Sequence, residues 1–155
     1  MPFRFLGLPT GSFELLMGLA DDELVARGMR RMIADEKPGF PCRVSLEDAQ
    51  PGESLLLLPF EHQPAHSPYR AAGPIFVRET ARKAFDGAGE LPPVLLGHLL
   101  SVRAYDSDGS MVDADVVDGA AVEKLLARLF DRADTDYIHI HFARRGCYAC
   151  RVERA

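Results

Sequence analysis

Tyr137-Ile138-His139-Ile140-His141-Phe142-Ala143-Arg144-Arg145-Gly146-Cys147-Tyr148-Ala149-Cys150-Arg151-Val152-Glu153 runs close to the C-terminus. Apolar and polar residues alternate with the period of two that a strand requires. Arg144-Arg145-Gly146 interrupts the alternation, and a three-residue hairpin loop with Gly146 left-handed fits that gap. This register puts Ile138, Ile140 and Phe142 on one face with Tyr148, Cys150 and Val152. His139, His141, Cys147, Ala149 and Arg151 then share the opposite face.

Working outward, Ala121, Val122, Leu125, Leu126, Leu129 and Phe130 repeat at helical spacing behind Asp118, which reads as the cap. Before that helix, Leu100–Asp106 and Ser110–Val116 predict a hairpin around Ser107-Asp108-Gly109. Apolar matching pairs Leu100 with Val116, Val102 with Ala114 and Ala104 with Val112, and sets Arg103 opposite Asp113.

The N-terminal half begins with a strand at Phe3–Leu8. A helix capped by Asp21 carries Leu24, Val25, Gly28, Met29, Met32 and Ile33 and stops at Lys37-Pro38-Gly39. Strands follow at Cys42–Leu46 and Ser54–Phe60. The unbroken run Leu55-Leu56-Leu57-Leu58 implies a central strand covered on both faces. Four prolines from Pro59 to Pro74 predict a long loop, and Arg78–Phe85 predicts a short helix. Together these readings predict an α+β fold: one domain over residues 1–155, mainly antiparallel sheet, with two longer helices and one short helix packed mainly on one face.

The chain has 155 residues, a net charge of −5 and a pI of about 5.5, which argues against nucleic acid as a partner. No apolar run reaches the roughly 20 residues of a membrane span, and Met1-Pro2-Phe3-Arg4 does not begin a signal peptide. Three cysteines, an odd set, speak against a secreted disulfide framework, so a cytoplasmic location is expected. Arginine far outnumbers lysine and asparagine is absent, as a GC-rich bacterial genome would produce.

Three places hold residues suited to chemistry. His139 and His141 point to one side of a strand, and Cys147 joins them in the expected register, a three-ligand set for zinc or a similar metal with Cys42 as a candidate fourth ligand. The alternative is a polar outer face with one buried and one incidental thiol. The loop Glu61–Pro74 offers His62, His66, Ser67, Tyr69 and Arg70, with Arg43 or Arg103 nearby in the expected fold, and an arginine fork suits an anionic ligand. The bland reading there is a proline-stiffened cover. Cys42, between Pro41 and Arg43, is a candidate nucleophile only if a histidine reaches it; otherwise it is a small buried hydrophobe. Asp106-Ser107-Asp108-Gly109 lacks the later acids of a calcium loop and reads as a turn. Arg144, Arg145, Arg151 and Arg154 form a basic C-terminal patch suited to a partner contact or to solvent.

Pro41-Cys42-Arg43, the stretch Ser67-Pro68-Tyr69-Arg70-Ala71-Ala72-Gly73-Pro74-Ile75-Phe76-Val77, and Gly146-Cys147-Tyr148-Ala149-Cys150-Arg151 together resemble a bacterial family of small single-domain proteins of unknown function. The resemblance covers nearly the whole chain and brings no assigned catalytic residue. The leading expectation is a binding module for a small, anionic molecule beside the Pro-rich loop. The alternatives are a metal-dependent enzyme (His139, His141, Cys147) or thiol-dependent enzyme (Cys42), and an interaction subunit that forms a homodimer.

Overall fold

A computed structural model describes residues 3–155; Met1 and Pro2, where the signal-peptide reading began, lie outside the described residues. In chain order the elements are β1 (Phe3–Leu6), α1 (Glu14–Met17), α2 (Asp21–Ala26), β2 (Arg30–Ile33), β3 (Ser54–Gln63), β4 (Ala71–Arg78), β5 (Asp86–Ala88), β6 (Leu99–Tyr105), β7 (Met111–Asp118), α3 (Val122–Phe130), β8 (Tyr137–Phe142) and β9 (Tyr148–Arg154). Two antiparallel sheets result, one ordered β5-β1-β9-β8-β6-β7 and one ordered β2-β3-β4. No described helix is long and apolar enough to cross a membrane.

The apolar stripe of α3 explains the larger core. Val122, Leu125, Leu126 and Leu129 are buried against Leu100, Val102, Ala104, Ile138, Ile140 and Val152, which leave the six-stranded sheet on one side. Each fully buried leucine there contributes roughly 2–3 kcal/mol. The four-leucine run of β3 does lie centrally. Leu56 and Leu58 pack with Phe13, Leu24, Ile75 and Val77, while Leu55 packs on the other side with Ala34, Phe40 and Ala49.

The expected pair of longer helices is overturned. Only α3 exceeds six residues among the described helices; α2 ends at Ala26. Gly28 adopts a φ of +77°, a conformation that ends a helix cheaply only at glycine, and Met29 onward turns into β2. β2 pairs Met32 with Leu55 and Arg30 with Leu57, so the residues taken for a helical stripe cover a sheet edge. Residues 78–85 form no helix, since β4 runs to Arg78 and leads through turns to β5. Cys42–Leu46 is not a strand but a turn region touching β4 through a single Cys42–Phe76 bridge.

The long Pro-rich loop is also shorter than expected. β3 and β4 pair as far as Gln63 and Ala71, with Pro59 facing Pro74. Antiparallel partners exchange either both hydrogen bonds or neither, so two prolines can face each other where no bond is needed. β2 ends opposite Leu57, leaving nothing beside Pro59 that needs its missing donor.

Three bulges shift the expected registers. In β7 one extra residue, Val112, sets Val102 opposite Asp115 and Arg103 opposite Ala114. The carboxylates of Asp113 and Asp115 are tolerated beside the helix because Arg128 of α3 pairs with both. In β9 the extra residue is Ala149, so Ile140 faces Cys150 while His141 faces Tyr148. In β3 one extra residue falls between Phe60 and Gln63. Gly109 and Gly146 are both left-handed, and the Ser107–Gly109 turn forms as read; in the last hairpin Phe142 faces Cys147, so the loop has four residues (Ala143–Gly146) instead of the expected three, and Asp118 makes no capping hydrogen bond.

Candidate functional site

Cross-strand partners share a face of a sheet. On the face of the six-stranded sheet turned away from α3, one row holds Ser101, His141 and Tyr148 across β6, β8 and β9. The next row holds Arg103, His139 and Arg151, and the next pairs Tyr105 with Tyr137. The bulge in β9 therefore decides the composition of this face: it moves Tyr148 onto the histidine side and Ala149 into the core with α3, where Cys150 stands as expected.

The end of β3 covers this face. Its bulge aims His62 at the sheet, where the imidazole stacks on Tyr148 at 5.4 Å and meets His141 edge-on at 4.9 Å. The next residue, Gln63, donates from Nε2 to the Tyr137 hydroxyl at 2.9 Å. The hairpin tip is tied down as well: Ser67 Oγ donates to the Gly109 carbonyl at 2.8 Å. Gly109 is needed there, because a Cβ would stand 2.3 Å from that of Ala65.

His62, His139 and His141 each bring a ring nitrogen within 4.8 Å of the others. Tyr105, Tyr137 and Tyr148 each lie 5.2 Å from His139, ring centre to ring centre. His139 is 2 % exposed and His141 1 %. Burial pushes His139 down to about 3, with the charges of Arg151 next in weight; burial likewise takes His141 to about 4 and lowers His62. All three imidazoles are therefore neutral at pH 7. His141 Nδ1 lies 2.9 Å from the Gly146 carbonyl, which can only accept, so Nδ1 carries the proton and Nε2 presents a lone pair. Nδ1 of His62 and Nδ1 of His139 are buried with no hydrogen-bond partner.

A second feature lies where the turn after β8 approaches residues 36–43. A cleft of about 490 Å³ is lined by Arg43, Arg144, Arg145, His98 and Cys147, with Phe76 and Phe142 as apolar walls and Glu36 and Asp118 as the acids. Arg43 is 2 % exposed. Its Nε donates to the Tyr148 carbonyl at 2.7 Å, its Nη1 to the Pro41 carbonyl at 2.6 Å, and its guanidinium lies 5.3 Å over the Phe142 ring. Among the described residues it has no ion pair, nor do Arg144 and Arg145. Burial lowers its pKa from the ordinary arginine value, yet a guanidinium stays charged at any physiological pH.

The residues singled out in the sequence are thus divided. His139 and His141 come together as expected, but their third neighbour is His62; Cys147 lies in the Arg43 cleft instead. Ser67 is occupied with Gly109, and Arg70 is an exposed partner of Glu61 at 3.0 Å. His66 and Tyr69 are exposed, and neither they nor Arg70 reach the cleft that holds Arg43. Cys42 is fully buried, its sulfur accepting the Arg78 amide at 3.3 Å. Arg103 reaches His141 Nε2 at 3.4 Å rather than Asp113. Burial pushes Cys150 up to about 12, an inert core thiol. His62 was read as a loop residue and not joined to His139 and His141, because its placement depends on a bulge, for which the sequence carries no signal.

These features define a class: a mainly antiparallel, two-sheet protein with a buried histidine cluster and an arginine-lined cleft. The family described as Protein of unknown function (DUF1203) matches residues 39–154, and the chain belongs to it. That span contains all three stretches that carried the resemblance, together with His62, His139, His141 and Arg43. No curated protein and no solved structure matches the chain.

Proposed function

We propose that this protein binds a small anionic molecule in the cleft beside Arg43. The observation that carries the reading is a buried guanidinium with no carboxylate in ion-pair contact among the described residues; the Asp48 charge acts on it only from farther away. A buried charge is costly unless it is paired, and two carbonyls and an aromatic face supply only part of what an anion would. Arg144 and Arg145 add two unpaired cations to the rim against the two acids Glu36 and Asp118, so the lining carries a net positive charge. The volume suits a small metabolite, and Phe76 and Phe142 give an apolar wall for a carbon skeleton. Segments distant in sequence meet here: Pro41 and Arg43, Phe76, and Cys147 come from the three stretches behind the family resemblance.

The test is a thermal-shift screen with phosphate, sulfate and short mono- and dicarboxylates. At hundredfold excess over Kd a bound anion should raise the midpoint by about 5 °C or more. Arg43→Met should abolish the shift. Arg144→Ala with Arg145→Ala, which removes exposed side chains only, should weaken it without unfolding the protein. Arg70→Ala should respond like the wild type. Equal responses in all variants, or none to any anion, would refute the reading.

A further inference from the structure

The histidine cluster lies outside the anion cleft and makes a separate claim. We propose that His62, His139 and His141 bind one divalent transition-metal ion of the imidazole-seeking zinc class. Three observations support this. Three ring nitrogens converge within 4.8 Å from two different sheets. Two buried nitrogens, Nδ1 of His62 and of His139, have no partner, and a native interior rarely leaves such atoms unsatisfied without an unseen ion or water. The third imidazole is already oriented: its Nδ1–H is engaged by the Gly146 carbonyl, which fixes the tautomer and aims the other nitrogen as in metal-bound histidines.

The donor chemistry narrows the ion. Three neutral imidazoles with no carboxylate suit zinc, cobalt, nickel or copper and not magnesium or calcium, which take oxygen ligands. Nitrogens bound at about 2.1 Å to one tetrahedral ion stand roughly 3.4 Å apart, so the widest pair closes by at most about 1.4 Å on binding. Arg103 is the group that yields. It reaches the His141 lone pair at 3.4 Å, it is held otherwise by Ser101 Oγ at 3.2 Å, and it has no ion pair among the described residues. With three protein ligands a fourth position stays open, as in catalytic rather than structural zinc sites.

The experiment is titration of chelator-stripped full-length protein with Co²⁺ in phosphate-free buffer, followed by displacement with Zn²⁺. Omitting phosphate and carboxylates keeps the result independent of the anion cleft. About one Co²⁺ per chain should bind, with visible d–d absorption of a nitrogen-rich, low-coordinate site that Zn²⁺ abolishes. His62→Ala removes a ligand from the half-buried strand end, so it should fold normally and lose at least about tenfold in affinity. His139→Gln should lose binding too. His66→Ala and His98→Ala, outside the cluster, should bind like the wild type. No stoichiometric binding, undiminished binding in His62→Ala, or loss in His98→Ala would overturn the proposal.

Discussion

Ile138, Ile140, Cys150 and Val152 leave β8 and β9 on the side of α3, and His139, His141, Tyr148 and Arg151 leave the same strands on the side of β3. Every residue of β8 is buried, so both sides exclude water. On the α3 side, exclusion of water is itself the stabilising force. On the β3 side it works the other way: imidazoles lose hydration, and an unsatisfied buried nitrogen costs about 1–3 kcal/mol. The aromatic rings, the Gln63–Tyr137 bond and the Ser67–Gly109 tether offset that cost and hold β3 in place. One face therefore carries stability, and the other holds polar groups at a cost in stability, as functional sites do.

The comparison can be broken by experiment. Ile140→Ala should have the largest effect, about 4 kcal/mol lost in chemical denaturation at any pH, because it opens a cavity in the α3 core. On the other face the loss should depend on pH. Metal-free protein above about pH 6.5 has neutral histidines both folded and unfolded. Below that the unfolded chain takes up protons that His139 and His141 refuse until about 3 and about 4, so stability falls with falling pH. The slope should be on the order of 1 kcal/mol per pH unit for each ring, so denaturation near pH 7 and near pH 5 measures it. His139→Phe should flatten that slope by about half, and Ile140→Ala should leave it unchanged. A pH-independent wild type would show that the β3 side is wet.

Smaller effects sharpen the contrast. Tyr137→Phe should cost about 1–2 kcal/mol, because it strands the buried Gln63 amide while keeping the ring stack with Tyr105. Arg70→Ala should change stability by no measurable amount, since the Arg70–Glu61 pair is exposed and screened. A clear loss there would mean that the hairpin tip contributes to holding His62.

The parts legible in the sequence are those in which the signal is local. The stripe of α3, the Ser107–Gly109 turn and the central leucines of β3 were all read correctly, because period and turn chemistry act over a few residues. Met29 and Met32 misled because they satisfy a helical repeat and also serve a strand edge; only Gly28 marked the break. The prolines from Pro59 to Pro74 stopped the expected strand at Phe60 and hid β4, because the harmlessness of Pro59 and Pro74 depends on their facing each other. Of the histidine cluster, the i, i+2 pair was visible and its third member was not. Arg43 was flagged, but its burial and its neighbours Arg144, Arg145 and Cys147 were not foreseeable from Pro41-Cys42-Arg43 alone.

By itself the sequence determined that the protein would be mostly antiparallel sheet, that one strong amphipathic helix would cover it, and that His139 and His141 would share a face. Only the tertiary structure decided what faces those histidines. A single inserted residue reverses the side of the chain on one side of it relative to the other, and such bulges in β3 and β9 brought in His62 and Tyr148 and left Cys147 out. Alternation along a strand is a property of the strand; the partner across it is chosen by chain segments far away in sequence.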